Sequence, residues 1–335
     1  MGEKASPPEW YRHTLDLDAA RSLVEIEYKP GEVMMAAASP GDEFLIIVDG
    51  QCRIVERQTV SGVHHPLGVD GPEIARVGPY ALVGEIGLLS RNVHRHDVIA
   101  LGQVTALRGD AETFAELLED HTLAEMIGST AARRLAEQVV PIVATTRMGR
   151  STMLRPMLPI DRPDYIQKLA TASAETILNR FFSRARPTPR VVERLLNIDF
   201  VHQFVWVAVD PDNPTTTWGE GRYVIDQRHE STVELALAVD EGQRGAGLGY
   251  LLGGAVAASA AAVGFEKLSV YVLSENVAMR KVLDQIDAHW RRFEPGVVTT
   301  TVAPGDLAEA LVPELIEPID LATHDLIHAA EVALS

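Results

Sequence analysis

The sequence predicts two domains: an N-terminal β-barrel or jelly-roll with flanking helices, and a C-terminal α/β domain built on a mixed sheet. Its 335 residues are more than twice the usual length of one domain, and 46% of them are hydrophobic, which is enough for two cores. Short β-rich runs fill the first part, whereas strands alternate with helices in the second. We expect one domain over residues 1–140, a second over 141–305 and a helical tail over 306–335.

The N-terminal domain is predicted from closely spaced turns. Between residues 24 and 107 they are Pro30-Gly31, Pro40-Gly41-Asp42, Asp49-Gly50 and Val77-Gly78-Pro79. Many short strands at this spacing are typical of a small antiparallel barrel or sandwich. The apolar run at 44–48 and the alternating run at 53–56 flank Asp49-Gly50, so we expect them to pair as a hairpin. Residues 111–139 carry apolar side chains at helical spacing, which predicts one or two helices.

The C-terminal domain begins after a boundary marked by Pro141 and the stretch 145–151. We predict helices at 162–182, 190–196, 247–263 and 276–287. We predict strands at 203–209, 218–225, 232–240, 268–273 and 297–302. Strands with interleaved helices indicate a mixed α/β sheet. The tail shows further helical periodicity after Pro304 and after Pro318.

Charge and cysteine content exclude several classes of function. There are 47 Asp and Glu residues against 30 Lys and Arg residues, a formal net charge of −17. Such a surface repels polyphosphates and anionic lipid, so we expect neither nucleic acid nor a membrane as a partner. Cys52 is the single cysteine, which excludes an intrachain disulfide or thiolate zinc site and favours a reducing compartment. We expect a cytoplasmic protein without a metal, and the oligomeric state stays open.

The most informative segment is a strand followed by a glycine-rich turn and a helix. Residues 232–240 alternate, so that one face is bulky and the other carries Glu234, two alanines and Asp240. The turn Arg244-Gly245-Ala246-Gly247-Leu248-Gly249 follows, and the next helix offers N–H groups that suit a diphosphate. This pattern favours an extended ligand lying along the strand. The alternative is a buried strand whose small residues only accommodate a packed helix.

Two other nucleotide sites do not fit this segment. A dinucleotide-binding fold requires an acidic residue at the end of a second parallel strand about 20 residues later, which the sequence lacks. The sequence also lacks the Gly-Lys-Ser or Gly-Lys-Thr that a nucleoside triphosphate site needs.

Residues 150–305 resemble the GNAT acyltransferase superfamily. Its acyl-CoA signature is Gln or Arg, two residues, Gly, one residue, then Gly or Ala, and Arg244, Gly247 and Gly249 occupy those places. The resemblance implies acetyl-CoA as co-substrate, its pyrophosphate on the turn and its pantetheine arm along the strand. Asn276 matches an asparagine that opens a later helix and touches the cofactor in that family. The implied cofactor-binding residues are Ala236, Leu237, Ala238, Val239, Arg244, Gly245, Ala246, Gly247, Leu248, Gly249 and Asn276.

The same resemblance gives Glu234 a catalytic role. Acyl transfer to an amine requires removal of an ammonium proton, and a partly desolvated glutamate has a raised pKa suited to that task. Many GNAT enzymes place such a glutamate ten residues before the Gln or Arg of the signature, as Glu234 stands before Arg244. The alternative is a structural ion pair, for example with Arg222. Many members also carry a tyrosine as general acid seven residues after the asparagine, and here that place is Leu283.

Two features concern the acceptor. The run from Ser173 to Phe181 resembles a helix of bacterial protein lysine acetyltransferases, in which Ser-x-Glu-Thr/Ser leads to Arg-Phe. The alternative is an ordinary amphipathic helix. A basic cluster follows on this acidic chain, and it suits an acidic protein surface, the 3′-phosphate of the cofactor or plain solvation. The cluster consists of Arg180, Arg184, Arg186, Arg190 and Arg194.

The barrel resembles cyclic-nucleotide-binding domains. The run Gly84-Glu85-Ile86-Gly87-Leu88-Leu89 matches their phosphate-binding cassette, and Glu85 matches the residue that binds the ribose 2′-hydroxyl. The arginine that neutralises the cyclic phosphate is replaced by His94, and the next Thr or Ser of the cassette by Asp97. Arg95 is adjacent, but strand alternation points it the other way. We therefore predict weak or no cyclic AMP binding in the pocket formed by Gly84, Glu85, Ile86, His94 and Arg95.

Both halves together resemble the cyclic-nucleotide-regulated protein lysine acetyltransferases. This resemblance implies acetylation of a lysine on a protein partner, with the first domain restraining the second and the tail acting as a lid. Three other hypotheses stay open: an acetyltransferase for small amines, a regulatory pseudoenzyme that binds CoA without turnover, and a cyclic-nucleotide-responsive transcription factor. The last predicts a basic helix-turn-helix after the barrel, whereas residues 141–335 are acidic overall.

Overall fold

The computed structural model describes residues 6–56, 59–60, 63–64, 71–200, 202–226, 229 and 231–334. The chain divides into two compact units, residues 1–131 with 328–335 (unit 1) and residues 132–327 (unit 2). The helices at 121–138 and 316–334 have residues in both units, and each is described with the unit that holds most of it. The predicted two-domain architecture is confirmed. The boundaries proposed at 140 and 305 stay predictions.

Unit 1 is built from two antiparallel sheets packed around one core. Its elements are α1 (Glu9–Asp16), β1 (Val24–Tyr28), β2 (Val33–Met35), β3 (Glu43–Asp49), β4 (Cys52–Glu56), β5 (Thr59–Val60), β6 (Val63–His64), β7 (Glu73–Val77), β8 (Leu82–Val83), α2 (Glu85–Ser90), β9 (His96–Ala100), β10 (Val104–Asp110), α3 (Ala111–Leu118) and α4 (His121–Gln138). The strand orders are β1-β10-β3-β8 and β2-β9-β4-β7, with β5 and β6 as a separate pair. The core includes the apolar residues Leu45, Ile47, Val98 and Val104.

The hairpin predicted around Asp49-Gly50 is wrong. β3 pairs with β10 and β8, whereas β4 pairs with β9 and β7, so the chain crosses from one sheet to the other at this turn. Gly50 has a φ of 90°, and an added Cβ would lie 2.4 Å from the carbonyl oxygen of Gln103. The turn therefore needs glycine, but a tight turn alone does not determine which strands pair.

Unit 2 contains a mixed sheet with helices on both faces. Its elements are β11 (Ile142–Thr145), β12 (Ser151–Pro156), α5 (Arg162–Thr171), α6 (Ala174–Phe181), α7 (Pro189–Leu196), β13 (Gln203–Asp210), β14 (Asn213–Ile225), β15 (Thr232–Val239), α8 (Leu248–Ala262), β16 (Lys267–Leu273), α9 (Val277–Leu283), β17 (Arg291–Glu294), β18 (Val297–Val302), α10 (Pro304–Leu311) and α11 (Ile316–Leu334). The strand order is β11-β12-β13-β14-β15-β16-β18-β17. β15 and β16 are parallel, and the other neighbours are antiparallel.

Two sequence predictions need correction in unit 2. The helix predicted at 162–182 is two helices, because Ser173 caps α6 and accepts a hydrogen bond from the amide of Thr176 at 3.1 Å. The stretch 145–151, which suggests a domain boundary in the sequence, lies in the hairpin formed by β11 and β12. The first error overlooks a polar residue that starts a new helix, and the second takes the polar residues of a local turn for the end of a domain.

The sheet of unit 2 has two different faces around β14. Gly219 and Gly221 face α8, because a Cβ added at either would lie 3.0 Å or less from atoms of α8 or β15. Glu220 and Arg222 alternate with these glycines and point to the opposite face, where Tyr165 and Leu169 of α5 pack over β13. The small residues of β14 thus let α8 approach closely, and the charged ones line the side of α5 and α6.

The tail packs into unit 2 over much of its length. Val312, at the end of α10, lies 2.7 Å from the position of a Cβ added to Gly254 of α8. Thr323 of α11 is fully buried and its hydroxyl lies 2.8 Å from that of Ser259, which accepts a bond from the indole of Trp206. The lid role of residues 306–335 stays a prediction. Across the described residues, none of the helices has both the length and the apolar character that crossing a bilayer needs.

Candidate active site

β15 separates from β16 directly after Glu234. On one side β15 pairs with β14 from Val233 to Val239. On the other side it pairs with β16 only at Thr232, Val233 and Glu234. Beyond that point, the edge of β15 that faces β16 has no strand partner among the described residues. An extended ligand can pair with such an edge as an added strand, and the edge spans Ala236, Leu237, Ala238 and Val239.

One face of β15 is bare, as its alternation predicts. Glu234 and Ala236 are exposed, whereas Val233 and Leu235 are buried. Ala238 lies opposite Glu220 of β14, so these two residues share a face. The bare face is therefore the face that carries the charged residues of β14.

The glycine-rich turn leads from β15 into the N-terminus of α8. Gly245 and Gly247 have φ values of 77° and 84°, a conformation that favours glycine. A Cβ at Gly247 would also lie 3.1 Å from the Cβ of Thr146. Within the described part of the chain, no side chain caps α8, so its first N–H groups point away from the helix and suit a phosphate. Leu248 and Gly249 supply the first helical residues.

Glu234 has the electrostatic character expected of a base. Glu234 as a whole residue is exposed, but its carboxyl group is partly surrounded by protein. This desolvation raises the pKa of Glu234, and the nearby Asp226 carboxylate raises it further. The ion pair with Arg222 that the sequence offers as an alternative is wrong. Arg222 donates instead to Glu220 at 2.5 Å and to the carbonyl of Leu195 at 2.9 Å.

A buried charge network lies on the same face. Glu220 forms ion pairs with both Arg180 of α6 and Arg222. Arg180 also donates to the hydroxyl of Tyr165 at 2.6 Å. Burial lowers the pKa of both guanidinium groups. Arg180 is therefore a partner of Glu220 rather than a member of a solvated basic cluster.

A cavity of about 150 Å³ lies between α5, α6, the middle of β14 and the end of β15. Leu169, Met157 and Val207 form its apolar part, and Ala238 and Val239 of the candidate cofactor strand border it. Lys168 also lines it, held by Asp164 at 3.0 Å and Asp240 at 3.3 Å. The cavity therefore combines an apolar wall with charged groups that are paired with each other.

Glu241 ties α6 to the glycine-rich turn. Its carboxylate accepts hydrogen bonds from the amide of Ser173 at 3.0 Å and from the hydroxyl of Thr176. These bonds lower the pKa of Glu241 to about 2. Arg244, the first residue of the signature, donates to the same Thr176 hydroxyl at 2.6 Å. The N-terminus of α6 is thus fixed to the residues that precede α8.

Asn276 and Leu283 occupy the two ends of α9. Asn276 caps the helix, and its side-chain oxygen accepts from the amide of Met279 at 3.1 Å. Leu283 is fully buried, so the position of the missing tyrosine belongs to the core.

The predicted cyclic-nucleotide pocket contains buried acidic and neutral groups. Gly84 has a φ of 96° and directly precedes α2. Glu85, the first residue of α2, is 1% exposed, and the next residue, Ile86, is half-buried. His94 is 4% exposed and its Nε2 has no hydrogen-bond partner among the described residues. Burial lowers the pKa of His94, despite two nearby carboxylates. Arg95 is exposed, as the alternation predicts.

Asp97 turns the phosphate side of this pocket acidic. It is 4% exposed, and its Oδ1 accepts a hydrogen bond from the amide of Ala37 at 2.7 Å. The backbone N–H of Ala37 is therefore already hydrogen-bonded to the Asp97 carboxylate. Among the described residues, no cluster of histidine, cysteine and carboxylate side chains is arranged to hold a metal ion.

Sequence reasoning missed several side chains near the candidate site. Lys168 and Glu241 belong to no motif. Asp164 lies four residues before Lys168, but Thr217, another partner of this lysine, is 49 residues away, and the partners Ser173 and Thr176 of Glu241 are 65 or more residues away. Thr146 packs on the turn from the β11–β12 loop and donates to the carbonyl of Ala246 at 2.5 Å. The Ser173 cap, followed by Thr176 three residues later, carries a local signal, which is that of a helix start.

Comparisons with known proteins agree with this architecture. A family model for the cyclic nucleotide-binding domain matches residues 25–121. Acetyltransferase Pat from Mycolicibacterium smegmatis is 31% identical over 312 residues, which cover 92% of this chain and 90% of the relative. A solved structure of a cAMP-binding acyltransferase from Mycobacterium smegmatis is 29% identical, with a TM-score of 0.50. The match covers 93% of this chain and 90% of the acyltransferase chain. The match to the GNAT domain of S. lividans PAT covers 49% of this chain and 96% of that domain's chain, at 24% identity and a TM-score of 0.44.

The fold, the site and these likenesses define an acyltransferase in which a cyclic nucleotide-binding domain precedes an α/β domain with a mixed sheet. Within that class, the chain belongs to the family of acetyltransferase Pat. The predicted fold class and acetyltransferase activity are confirmed.

Proposed function

We propose that the chain transfers the acetyl group of acetyl-CoA directly to the ε-amine of a lysine in a protein, with Glu234 as general base. The observation that carries the proposal is the separation of β15 from β16 directly after Glu234. It puts the carboxylate at the beginning of the unpaired strand edge. A pantetheine arm paired with that edge would bring its thioester into the neighbourhood of the base.

The cofactor residues fit acetyl-CoA by their chemistry. The backbone edge at Ala236, Leu237, Ala238 and Val239 offers donors and acceptors for the amides of the pantetheine arm. The uncapped start of α8, with the turn from Arg244 to Gly249, offers N–H groups for the diphosphate. Asn276 of the neighbouring α9 completes the predicted set. The strand edge suits the amides of the pantetheine arm, and the helix N-terminus that follows it along the chain suits the diphosphate.

Glu234 would deprotonate the lysine ammonium before its nitrogen attacks the thioester carbonyl. Its raised pKa makes it a better proton acceptor than an ordinary glutamate at neutral pH. The C–N bond then forms as the C–S bond breaks, and the sulfur leaves as a thiolate. Since Leu283 is buried, solvent rather than a side chain at that position would protonate the thiolate.

The acceptor is assigned to a protein because of the elements around the cavity. α6 carries the run that resembles bacterial protein lysine acetyltransferases, and α5 and α6 border the cavity beside Ala238. A lysine has a long apolar stem with a charged head, and the cavity has an apolar wall with charged groups. The alternative acceptor is a free small amine.

One experiment separates the two acceptors. The purified protein is incubated with radiolabelled acetyl-CoA and either a lysine-rich unfolded protein or free amines such as spermidine and lysine. We expect label in the protein, with the label lost when its lysines are methylated beforehand. Efficient transfer to the free amines, with none to the protein, would assign the acceptor to small molecules.

We also infer that unit 1 binds cyclic AMP weakly or not at all. His94 is buried and its pKa is lowered, so it is neutral at pH 7 and cannot replace an arginine beside a phosphate. Asp97 adds a carboxylate, which repels the phosphate and already occupies the amide of Ala37. Loss of a buried Arg–phosphate pair costs about 2–5 kcal/mol, or roughly 30- to 4,000-fold in affinity.

Titration calorimetry with cyclic AMP tests this inference. The protein is expected to give no binding heat at micromolar concentrations, and the double variant H94R with D97T is expected to gain affinity. H94R with D97E is the matched control, because it restores the guanidinium but keeps the carboxylate. Micromolar binding by the unchanged protein would contradict the inference.

A further inference from the structure

The loop between β11 and β12 is a fixed part of the wall around the glycine-rich turn. The hydroxyl of Thr146 donates to the carbonyl of Ala246 at 2.5 Å, and the same hydroxyl accepts from the amide of Arg150 at 3.1 Å. The guanidinium of Arg150 lies 4.2 Å from the ring centre of Trp218 on β14. The loop between these two anchors therefore holds a set position beside the turn.

Arg147 in this loop lies between the two elements that are predicted to contact acetyl-CoA. Its guanidinium lies 5.1 Å from the ring centre of Tyr250, in the first turn of α8. Nη1 donates at 2.9 Å to the side-chain oxygen of Gln285, two residues beyond the end of α9, and Nη2 donates to the carbonyl of Ala310. The side chain thus spans from the start of α8 to the region just after α9.

The bonds of Arg147 leave it able to bind an anion. A guanidinium carries five N–H donors, and the two bonds described above use two of them. The residue is exposed, so an anion reaches it without a change of fold. The contact with the Tyr250 ring and the two hydrogen bonds hold the guanidinium in place, and a guanidinium can bind a phosphate through two N–H groups at once.

Three other arginines near the site are bound on the side of α5 and α6, whereas Arg147 contacts α8 and the segment that follows α9. Arg244 donates to Thr176 of α6, and Arg180 is buried against Glu220. Arg186 donates to the carbonyl groups of Leu169 at 2.7 Å and Ala172 at 2.9 Å. Two members of the basic cluster, Arg180 and Arg186, thus bind groups on the side of α5 and α6; the 3′-phosphate was one of three alternatives for that cluster.

We propose that Arg147 binds the 3′-phosphate of acetyl-CoA. The proposal rests on the proposed function, because it takes the diphosphate to lie at the start of α8. The 3′-phosphate is the second anionic group of this molecule, and it is separated from the diphosphate by the ribose. Arg147 lies beside the first turn of α8 and reaches toward Gln285, in the segment that follows α9, so it can receive a phosphate one sugar away from that helix end.

The test compares two cofactors that differ only in this phosphate. Titration calorimetry measures the binding of CoA and of 3′-dephospho-CoA to the full-length protein. We expect CoA to bind about tenfold more tightly, since one charge-assisted pair separates the two ligands. R147A should bind both equally, with an affinity close to that of the unchanged protein for 3′-dephospho-CoA. R147K should keep part of the preference, because it keeps the charge but loses the bidentate geometry.

The matched control is R190A, which removes an exposed arginine of the predicted basic cluster and should keep the full preference for CoA. If R147A were misfolded, it would bind neither CoA nor 3′-dephospho-CoA. R147K keeps the positive charge, so it checks whether the effect of R147A comes from the lost charge or from a disturbed fold. The proposal is overturned if the unchanged protein binds both ligands equally, if R147A and R147K weaken both to the same extent, or if R190A abolishes the preference. A protein that binds neither ligand would instead contradict the acyl-CoA site of the proposed function.

Discussion

The substitution E220Q should destabilise unit 2 strongly. The Glu220 side chain is 7% exposed and neutralises Arg222, which is 3% exposed, and Arg180, which is 16% exposed. Glutamine keeps the volume but removes the charge, which leaves two guanidinium groups without a counter-ion in a poorly solvated place. Breaking a buried pair in this way costs about 3–5 kcal/mol. For a unit of this size, that corresponds to a fall of roughly 6–20 °C in the unfolding midpoint.

Urea unfolding followed by tryptophan fluorescence measures this effect. Trp206 and Trp218 are both buried in unit 2, so the emission reports its unfolding. The control E193Q breaks the exposed pair between Glu193 and Arg162, and should cost under about 1 kcal/mol. If E220Q and E193Q reduce the free energy of unfolding equally, the network around Glu220 does not stabilise the fold as argued.

Three further predictions follow from the charges and buried hydroxyls of unit 2. D226N should lower the pKa of Glu234, so that the acid limb of the kcat/KM profile moves to lower pH; an unchanged limb would exclude this coupling. Glu241 has a pKa of about 2 against an ordinary 4.5, so its contribution is complete above pH 4.5 and lost on acidification toward pH 2. Amide protection at the start of α6 should fall over that range, and E241Q should show low protection throughout. T323V leaves the buried Ser259 hydroxyl one partner short, so chemical denaturation should show a loss of about 1–3 kcal/mol, and no loss would mean that this bond is dispensable.

Strand β15 and the glycine-rich turn that follows it can be predicted from the sequence because their signals are local. Alternation along residues 232–240 sets the bare face of β15, and Gly247 is required by its own positive φ and by the approach of Thr146. The same local logic failed at Asp49-Gly50. A tight turn fixes the direction of the chain, but the partner of each strand depends on contacts with β9 and β10, about 40 to 60 residues away.

Long-range partners could not be predicted from one sequence. The alternation on β14 predicts that Glu220 and Arg222 share a face, but not that Arg180 reaches them from α6. Sequence spacing also suggested Arg222 as a partner for Glu234, whereas the structure gives it to Glu220. The ion-pair partner of a charged residue is the opposite charge that packing brings closest to it. Packing depends on the whole unit, so a local pattern does not identify that partner.

The chemical role of Glu234 is tested most directly by E234Q, with acetyl-CoA binding and turnover measured on the same preparation. Glutamine keeps the shape of the side chain but cannot accept the proton of the lysine ammonium. We predict an unchanged dissociation constant for acetyl-CoA and a fall in kcat of about 10²- to 10⁴-fold. Full activity in E234Q, with acetyl-CoA still bound, would remove Glu234 from the reaction and contradict direct transfer with this residue as the base.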